Sequence, residues 1–433
     1  MRAEKRYGKK QSVEIVMKEF QKIGVKKRSK VLDWLKYAEI AVNGVRQDGY
    51  VVPAPGFHET GDLIPDGKTC EKIYRAGGSL YAFLSDGKLF KESETVMTAI
   101  SDTVFTAPPL LAEVYNDGKK RILAVSVSGG TLIGTATDPE ENVSVPCGEK
   151  IAVFNGMLFS ASKNEITVSK LFSFTDYSEG TEENLVIRLP EGAGGVKLLF
   201  ALFGELYALC AKSLFKLSPY GEEIDYKLVS VPAPYFSVEN ESAAACDNYA
   251  AFVTENKICV YDGKNFKFSK PFGDESFDLS SDCSAGTASG RYILPLSGEN
   301  AGYALVFNPA DGAAYLTEAA SVISPCGGYA ADEFGTVYAF LANSPKTDIK
   351  VYTAATDLSF ADEKFLTEVR LYTSESATLT IKGDFGEKKY ELKSGGDSVF
   401  CSLKSRAFSF AIKTAGENAK LSVLTVKYEI KGE

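Results

Sequence analysis

The stretch Gly78-Ser79-Leu80-Tyr81-Ala82-Phe83-Leu84-Ser85-Asp86-Gly87-Lys88-Leu89-Phe90-Lys91 has the pattern of a β-hairpin. Two runs of large apolar residues flank Asp86-Gly87, a pair that tolerates the positive φ angles of a tight turn. Nearly the same pattern recurs at Gly204-Glu205-Leu206-Tyr207-Ala208-Leu209-Cys210, followed by Ser213-Leu214-Phe215-Lys216-Leu217. These hairpins indicate a scaffold and contain no evident chemistry.

Hairpin candidates recur at steps of about 40 residues between about residue 70 and residue 355. Strand-only repeats of this length are typical of the four-stranded blade of a β-propeller. Seven copies favour seven blades, with six or eight as alternatives because two copies are degenerate; a β-sandwich array is the competing all-β interpretation. The copies begin near Leu80, Ile122, Leu158, Leu206, Tyr249, Tyr292 and Tyr329.

The sequence therefore predicts an all-β protein in three parts. Residues 1–45 form a basic, partly helical N-terminal arm, residues 46–357 a β-propeller of about seven blades, and residues 358–433 a small C-terminal domain resembling a β-sandwich. Pro53 and Pro55 limit the segment after the Asp48-Gly49 turn to a sheet edge or an exit from the sheet.

Two amphipathic helices are predicted in the arm, capped by Ser12 and by Ser29. This pair would pack on its own domain or anchor to a neighbouring subunit. The run Lys26-Lys27-Arg28 lies between the two helices and is the candidate partner-binding site. The apolar positions are Val13, Val16, Phe20 and Ile23 in the first helix, and Val31, Leu32, Leu35 and Ala38 in the second.

Six short strands are predicted in the C-terminal domain. Apolar residues alternate with polar ones in Phe408/Phe410/Ile412 and in Val426/Tyr428/Ile430, which is typical of half-buried strands. Six strands in so short a domain favour a sandwich or a small barrel. The predicted strands are Glu368–Tyr372, Ala377–Lys382, Lys388–Lys393, Ser398–Leu403, Ala407–Lys413 and Ser422–Lys431.

Charge is distributed unevenly along the chain. The net charge is −9, but residues 1–47 hold 13 Lys/Arg and 5 Asp/Glu, a balance of +8, which leaves −17 for the rest. The acidic body argues against a protein that binds nucleic acid through its whole surface. The basic arm indicates either a segment that docks on an acidic partner or a solvated helix.

The pattern of reactive residues predicts no catalytic, cofactor or metal site. The 8 cysteines are scattered without a Cys-x-x-Cys pair, and His58 is the single histidine, so no local zinc motif exists. The cysteine spread is typical of reduced, mostly buried thiols, with a disulfide as the alternative. No phosphate-binding loop or nucleophile elbow occurs. We also predict no signal peptide and no membrane span.

A propeller glycosidase with paired carboxylates is an open alternative, because acidic residues are plentiful. The pairs Glu140-Glu141, Glu182-Glu183 and Glu222-Glu223, however, have the character of solvated loop acids. Sugar sites usually present aromatic platforms, and the only tryptophan, Trp34, lies in the arm. The turn Asn308–Gly312 matches no dedicated calcium loop.

The segment from Lys170-Leu171-Phe172-Ser173-Phe174-Thr175-Asp176-Tyr177-Ser178-Glu179 through Leu185–Pro190 and Val196–Leu202 to the Gly204–Leu217 hairpin resembles a recurrent pattern of bacteriophage virion propellers. The opening Asn43–Phe57 resembles their entry segment, with Ala54 where the family usually has arginine before Pro-Gly. The C-terminal strands Ala407–Lys413 and Leu421–Ile430 are similar to the small β-domain that ends such chains.

This resemblance covers about residues 40–433 and implies a structural virion protein without enzymatic activity, such as a tail nozzle or a head-to-tail stabilisation protein. Copies would form a ring that extends the DNA exit channel used in DNA ejection, beside portal, adaptor or other tail proteins. An acidic wall would let the genome slide past without specific binding. The implied location is the virion, after synthesis in the host cytoplasm. The alternative is a module that binds carbohydrate or protein.

Overall fold

The computed structural model contains 38 strands and two 3-10 helices, Glu191–Ala193 and Gly298–Asn300, among the residues it describes. No described helix has the length and apolar character needed to cross a membrane. The structure describes residues 10–15, 40–47, 50–61, 63–93, 96–135, 137–177, 186–220, 225–246, 248–271, 278–279, 281, 284–318, 325–332, 335–346, 348–352, 355, 358 and 363–430.

Five strands precede the repeats. They are β1 (Lys10–Ile15), β2 (Ile40–Val42), β3 (Gly44–Gln47), β4 (Tyr50–Pro53) and β5 (Pro55–Glu59).

The next twelve strands form three four-stranded antiparallel sheets, in each of which consecutive strands pair. Sheet 1 contains β6 (Cys70–Ala76), β7 (Ser79–Leu84), β8 (Leu89–Ser93) and β9 (Val96–Ala99). Sheet 2 contains β10 (Leu110–Asn116), β11 (Lys119–Ser126), β12 (Gly129–Leu132) and β13 (Glu141–Val143). Sheet 3 contains β14 (Lys150–Phe154), β15 (Met157–Ser162), β16 (Glu165–Val168) and β17 (Val186–Arg188).

Three further groups of four strands follow the same order. Sheet 4 contains β18 (Val196–Leu202), β19 (Glu205–Cys210), β20 (Leu214–Tyr220) and β21 (Asp225–Ser230). Sheet 5 contains β22 (Ala244–Cys246), β23 (Tyr249–Thr254), β24 (Lys257–Tyr261) and β25 (Phe266–Ser269). Sheet 6 contains β26 (Gly286–Ala288), β27 (Arg291–Pro295), β28 (Tyr303–Phe307) and β29 (Ala314–Glu318).

Sheet 7 combines residues from both ends of the repeat region. Its strands β30 (Tyr329–Ala331) and β31 (Val337–Pro345) are followed in the sheet by β5, which pairs antiparallel with β31. Strand β5 has no other partner strand among the described residues, in agreement with the sheet edge predicted after Pro55. The sheet is thus closed by a strand that precedes sheet 1 in the chain.

Both faces of the central strands are buried, which explains their uninterrupted apolar runs. In β7, Leu80 and Ala82 pack in a cluster with sheet 7, whereas Tyr81 and Phe83 pack in a cluster with sheet 2. Successive side chains of a strand point to opposite faces, so one run supplies two cores. The hairpin at Gly78–Lys91 is therefore confirmed as the centre of its sheet, with Gly87 at φ 77° in the turn.

Such clusters join each sheet to the next around a circle. Sheets 1 and 2, 2 and 3, 3 and 4, 4 and 5, and 5 and 6 share clusters of buried side chains, as do sheets 6 and 7, and sheets 7 and 1. The first strands of successive sheets also contact one another, from β6 through β10, β14, β18 and β22 to β26, and β30 contacts β6. This arrangement is a β-propeller, in which first strands surround a central opening.

Six predicted hairpins begin in the second strands of their sheets, at β7, β11, β15, β19, β23 and β27. The seventh, near Tyr329, instead begins in the first strand of sheet 7. The shift arises because sheet 7 takes its third strand from residues 55–59.

The C-terminal domain consists of two facing sheets. All six predicted strands are present, as β33 (Lys364–Thr373), β34 (Ala377–Gly383), β35 (Gly386–Leu392), β36 (Gly395–Ser405), β37 (Phe408–Ala415) and β38 (Leu421–Ile430). One sheet has the order β3-β4-β38-β33-β36, with β1 also on β38; in the other, β2, β32 (Asp348–Tyr352), β37, β34 and β35 are neighbours. Between them lies a core that includes Phe408, Phe410 and Tyr428.

This pairing differs from the predicted domain boundaries. Strand β4 pairs with β38, β3 pairs with β4, and residues 348–352 pair with β37, although the sequence analysis placed residues 46–357 in the propeller. The chain thus leaves the sandwich between Pro53 and Pro55 and re-enters it after Pro345. Local patterns identified the strands, but β4 pairs with β38 and β2 with β32, partners that lie far away in the chain.

The predicted helix starting at Ser12 is wrong for residues 12–15, which belong to β1. Val13 and Ile15 are paired with Val426 and Leu424 of β38, whose side chains are buried. Alternation of Val13 and Ile15 matches a strand, and the partner edge of β38 provides backbone hydrogen bonds that an isolated segment lacks. The rest of this helix and the whole second helix lie outside the described residues.

Asn43 connects the propeller to the sandwich. Its backbone N–H donates to the Leu316 carbonyl at 2.7 Å, and its side-chain Oδ1 accepts from the Glu318 N–H at 3.1 Å and the Thr317 hydroxyl at 3.2 Å. Asn43 is buried and has φ 56°, a left-handed conformation that asparagine tolerates. It follows β2, which pairs in parallel with β29, so one nine-stranded sheet runs from sheet 6 into the sandwich.

A glycine makes this crossing point possible. A Cβ on Gly44 would lie 2.8 Å from both Ile349 Cγ2 and Val51 Cγ1, so no side chain fits there. The Glu318 carboxylate also accepts a hydrogen bond from the Lys350 ammonium across the same junction. Backbone pairing, side-chain hydrogen bonds and an ion pair thus all join the two domains.

On the outer side of the sandwich, Glu368 accepts hydrogen bonds from Lys427 Nζ at 2.7 Å and from Arg370 Nε at 2.5 Å. Its side chain is only 10% exposed. These two hydrogen bonds, the stronger from Lys427, lower the pKa of Glu368 to about 2. A lowered pKa means that the carboxylate stabilises the fold above its unfolded pKa and loses this effect as the pH falls through the folded value.

We expect Glu368→Gln to lower the free energy of unfolding by about 1–2 kcal/mol at neutral pH, a value reduced because both cations are partly exposed. The difference from wild type should shrink as the pH falls from the unfolded pKa of a glutamate toward the folded value of about 2, because the carboxylate of the unfolded chain is protonated first and that of the native state last. Urea unfolding across this pH range measures it. Glu387→Gln is the control, since its ion pair with Lys389 spans 3.5 Å between exposed side chains. A constant difference at all pH values would contradict the assignment.

The described cysteines agree with the predicted reduced thiols: all seven are free, and Cys70, Cys210, Cys259 and Cys401 are buried. Burial raises the pKa of Cys70, Cys210 and Cys259 to about 12. These thiols therefore stay protonated and unreactive at neutral pH. Cys283 lies outside the described residues.

Candidate functional site

Charged side chains from non-neighbouring sheets meet at the central opening of the propeller. Lys150, at the start of β14 in sheet 3, donates from Nζ to Glu241 Oε2 at 2.5 Å, and Glu241 lies just before β22 of sheet 5. Sheet 4 separates these two sheets around the circle, so this contact reaches across the opening. We call Lys72, Lys150, Glu241 and Cys326 the axial cluster.

Lys72 belongs to β6 of sheet 1 and interacts electrostatically with Lys150, Glu241 and Cys326. Burial is the main cause that lowers its pKa, and the like charge of Lys150 lowers it further, while Glu241 and Cys326 oppose this shift. Its ammonium lies 5.6 Å from the centre of the Tyr74 ring. No described carboxylate lies within ion-pair distance of Lys72, so its charge is only partly compensated.

Arg75, near the end of the same strand, extends toward sheet 7. Its guanidinium carbon lies 5.9 Å from the centre of the Tyr329 ring, a cation–π arrangement. A Cβ on Gly327 would lie 2.5 Å from Arg75 Cδ, and Gly327 has φ 56°. Glycine at this position thus leaves room for the arginine side chain.

Cys326 closes the turn before β30. Its N–H donates to the Tyr329 carbonyl at 2.7 Å, and the Tyr329 N–H donates back at 3.0 Å. Burial raises the pKa of the Cys326 thiol, although Lys72 and Arg75 act in the opposite direction. The thiol therefore remains neutral, and it is a neighbour of the cations rather than a nucleophile.

The two ammonium groups and one carboxylate give the axial cluster a net positive charge inside a chain of net charge −9. Ammonium and guanidinium groups hold carboxylates and phosphates by charge-assisted hydrogen bonds. No group of three or more potential metal ligands exists in the described part of the chain. The net charge of the axial cluster therefore favours anions over cations in its vicinity.

The predicted partner-binding residues Lys26, Lys27 and Arg28 lie outside the described residues. Sequence reasoning missed the axial cluster, although a signal was present. Lys72, Lys150 and Glu241 each lie eight residues before a hairpin start, at Leu80, Leu158 and Tyr249 respectively. Lys72 pairs with Phe83 and Lys150 with Ala161, which are equivalent positions of β7 and β15. Alignment of the repeats would have found this shared position.

Two exposed phenylalanines occupy the opposite end of the propeller. Phe172, in the connection from β16 to β17, and Phe203, in the turn from β18 to β19, are 69% and 65% exposed. Both have positive φ, at 54° and 51°, a conformation that is unusual for bulky residues. The Phe172 ring packs directly on Gly156 and the Phe203 ring on Gly263, since a Cβ added to either glycine would lie within 3 Å of the ring.

No protein-family model matches the chain, and no curated protein matches it. Solved structures with similarity include BamB from Moraxella catarrhalis, at 9% identity and a TM-score of 0.43, covering 69% of this chain and 96% of that one. The WD40 domain of Pan2 from Neurospora crassa has 13% identity and a TM-score of 0.41, covering 66% and 95%. Raptor from Chaetomium thermophilum has 13% identity and a TM-score of 0.45, covering 66% and 30%.

Proposed function

We propose that this chain is a structural virion protein of a phage tail or head-to-tail connection, without enzymatic activity. Copies of it would assemble into a ring that forms or extends the DNA exit channel. In this proposal the seven sheets are seven blades, the third strand of the last being β5. The resemblance of residues 40–433 to phage virion propellers motivates the proposal.

The single observation that supports a building-block role best is the nine-stranded sheet that joins sheet 6 to the sandwich. Domains joined by flexible linkers reorient readily, whereas these two share main-chain hydrogen bonds between β2 and β29. A closed ring repeats one geometry at every subunit, which requires a rigid subunit. The junction at Asn43 supplies that rigidity.

In this proposal the genome passes through the opening of the ring of copies. The propeller's own central opening is a different space, and it contains the positively charged axial cluster. The balance of −17 on residues 48–433 would repel DNA phosphates from the ring wall. Portal, adaptor or other tail proteins are the proposed neighbours, with the basic residues 26–28 as a contact, and the virion is the proposed location.

We expect the purified full-length chain to form closed rings as its concentration rises. Mass photometry would give the number of copies, and negative-stain electron microscopy would show the ring with its opening. A chain that stays monomeric at every accessible concentration, and that also binds none of the candidate tail proteins, would contradict the proposal. Genes for portal or capsid proteins beside this one would support it independently.

The second candidate is a module that binds carbohydrate or protein, with a glycosidase as the less favoured form. The observation that favours it is the pair of exposed phenylalanines, Phe172 and Phe203, because aromatic side chains anchor many binding sites. A monomer that binds a glycan array, and loses this binding in Phe203→Ser, would favour this candidate over the ring.

A further inference from the structure

We propose that the axial cluster binds a small, multiply charged oxyanion, of the phosphate or polycarboxylate class, at the end of the propeller opening where the first strands begin. This site is independent of ring assembly, because its residues face the opening of one propeller. It would make the opening a ligand site in every copy.

The position of the cluster is a consequence of the repeat. Lys72 and Lys150 occupy equivalent positions in sheets 1 and 3, and Glu241 lies before the first strand of sheet 5, at the same spacing of eight residues from its hairpin start at Tyr249. Side chains at an equivalent position of alternate sheets converge on the central axis. The contact of 2.5 Å between Lys150 and Glu241 demonstrates this convergence.

The charges of the cluster are unbalanced. Glu241 compensates Lys150, whereas Lys72 has no described carboxylate within ion-pair distance. Removing a cation from water is unfavourable unless a counter-charge is present. The lowered pKa of Lys72, caused by burial and by Lys150, is the expected response of an ammonium that is buried without a paired carboxylate. A bound anion would supply the missing counter-charge.

The donor set indicates the chemical class of the ligand. Two ammonium groups act as point charges that attract a phosphate or a carboxylate. The Glu241 carboxylate accepts hydrogen bonds only, so it offers no donor to an anion. This carboxylate should also weaken binding of a fully ionised anion by repulsion.

The test is calorimetric titration of the full-length chain with inorganic phosphate, and separately with citrate, at an ionic strength held constant with chloride. Wild type should show saturable binding of at least one of the two, and comparison of the two distinguishes phosphate from carboxylate chemistry. Lys72→Met should weaken binding by about tenfold or more, since it removes one charge-assisted contact. The matched control is Lys119→Met, whose ammonium pairs with Asp138 at 2.8 Å in sheet 2, and it should bind as wild type does.

Glu241→Gln provides a change of opposite sign, because it removes the repelling carboxylate and should tighten binding several-fold. A purely structural role for Glu241 would not produce tighter binding. If Lys72→Met fails to fold, Lys150→Met takes its place with the same expected loss. Absence of saturable binding by wild type, equal binding by wild type and the cation variants, or weaker binding by Glu241→Gln would each overturn the proposal.

Discussion

Replacing Asn43 by alanine is expected to lower the free energy of unfolding by about 3 kcal/mol. The change leaves the Glu318 N–H and the buried Thr317 hydroxyl without the acceptor they share, Asn43 Oδ1. A buried donor without a partner costs about 1–3 kcal/mol. Alanine at φ 56° adds a cost of about 1 kcal/mol, because the left-handed region disfavours a Cβ. Urea unfolding measures the total.

Two further variants separate these causes. Asn43→Gly removes the conformational cost and keeps the loss of the acceptor, so it should remain about 2 kcal/mol less stable than wild type. Asp117→Ala is the matched control, because Asp117 has φ 48° in an exposed turn of sheet 2. It should cost about 1 kcal/mol or less. Equal losses in Asn43→Ala and Asp117→Ala would show that the buried hydrogen bonds at the junction contribute nothing.

The second large effect is expected from removal of β1. A chain lacking residues 1–15 leaves the edge of β38 from Leu424 to Glu429 without its partner strand. Lost backbone hydrogen bonds should lower the free energy of unfolding by about 2–4 kcal/mol, after the entropy regained by the strand is subtracted. An open edge also pairs readily with other chains, so concentration-dependent association should appear.

The matched control lacks residues 1–9 only. It removes Arg2, Lys5, Arg6 and Lys9, so it tests the charge of the arm while it keeps β1. We expect it to unfold and sediment as wild type does. Thermal unfolding compares the stability of both truncations with that of wild type, and sedimentation velocity compares their association. If the longer truncation matches wild type in both measurements, β1 contributes nothing to the sandwich. If the shorter truncation fails equally, charge rather than strand pairing is responsible.

The sequence by itself determined the hairpins of the propeller and the six strands of the C-terminal domain. These elements carry their signal locally. The run Leu80–Leu84 alternates between two cores, and Phe408, Phe410 and Ile412 mark one buried face. A period of two residues and a nearby turn need no knowledge of distant partners.

The axial cluster was within reach of the same reasoning, since Lys72, Lys150 and Glu241 share one spacing from their hairpins. What the sequence did not reveal is that this position faces the opening. That fact depends on ring closure, which brings sheets 3 and 5 within a hydrogen bond of each other.

Only the tertiary structure decided how the ends of the chain are used. Val13 fits a helical spacing with Val16 and a strand alternation with Ile15, and the open edge of β38 selects the strand. β5 closes sheet 7, and Val42 pairs with Leu316 to fuse propeller and sandwich. Backbone hydrogen bonds between residues this far apart do not depend on side-chain identity, so no local sequence pattern predicts them. The fold of each repeat is therefore determined by its own residues. The closure of the circle of propeller sheets and its attachment to the sandwich depend instead on which backbone edges remain unpaired.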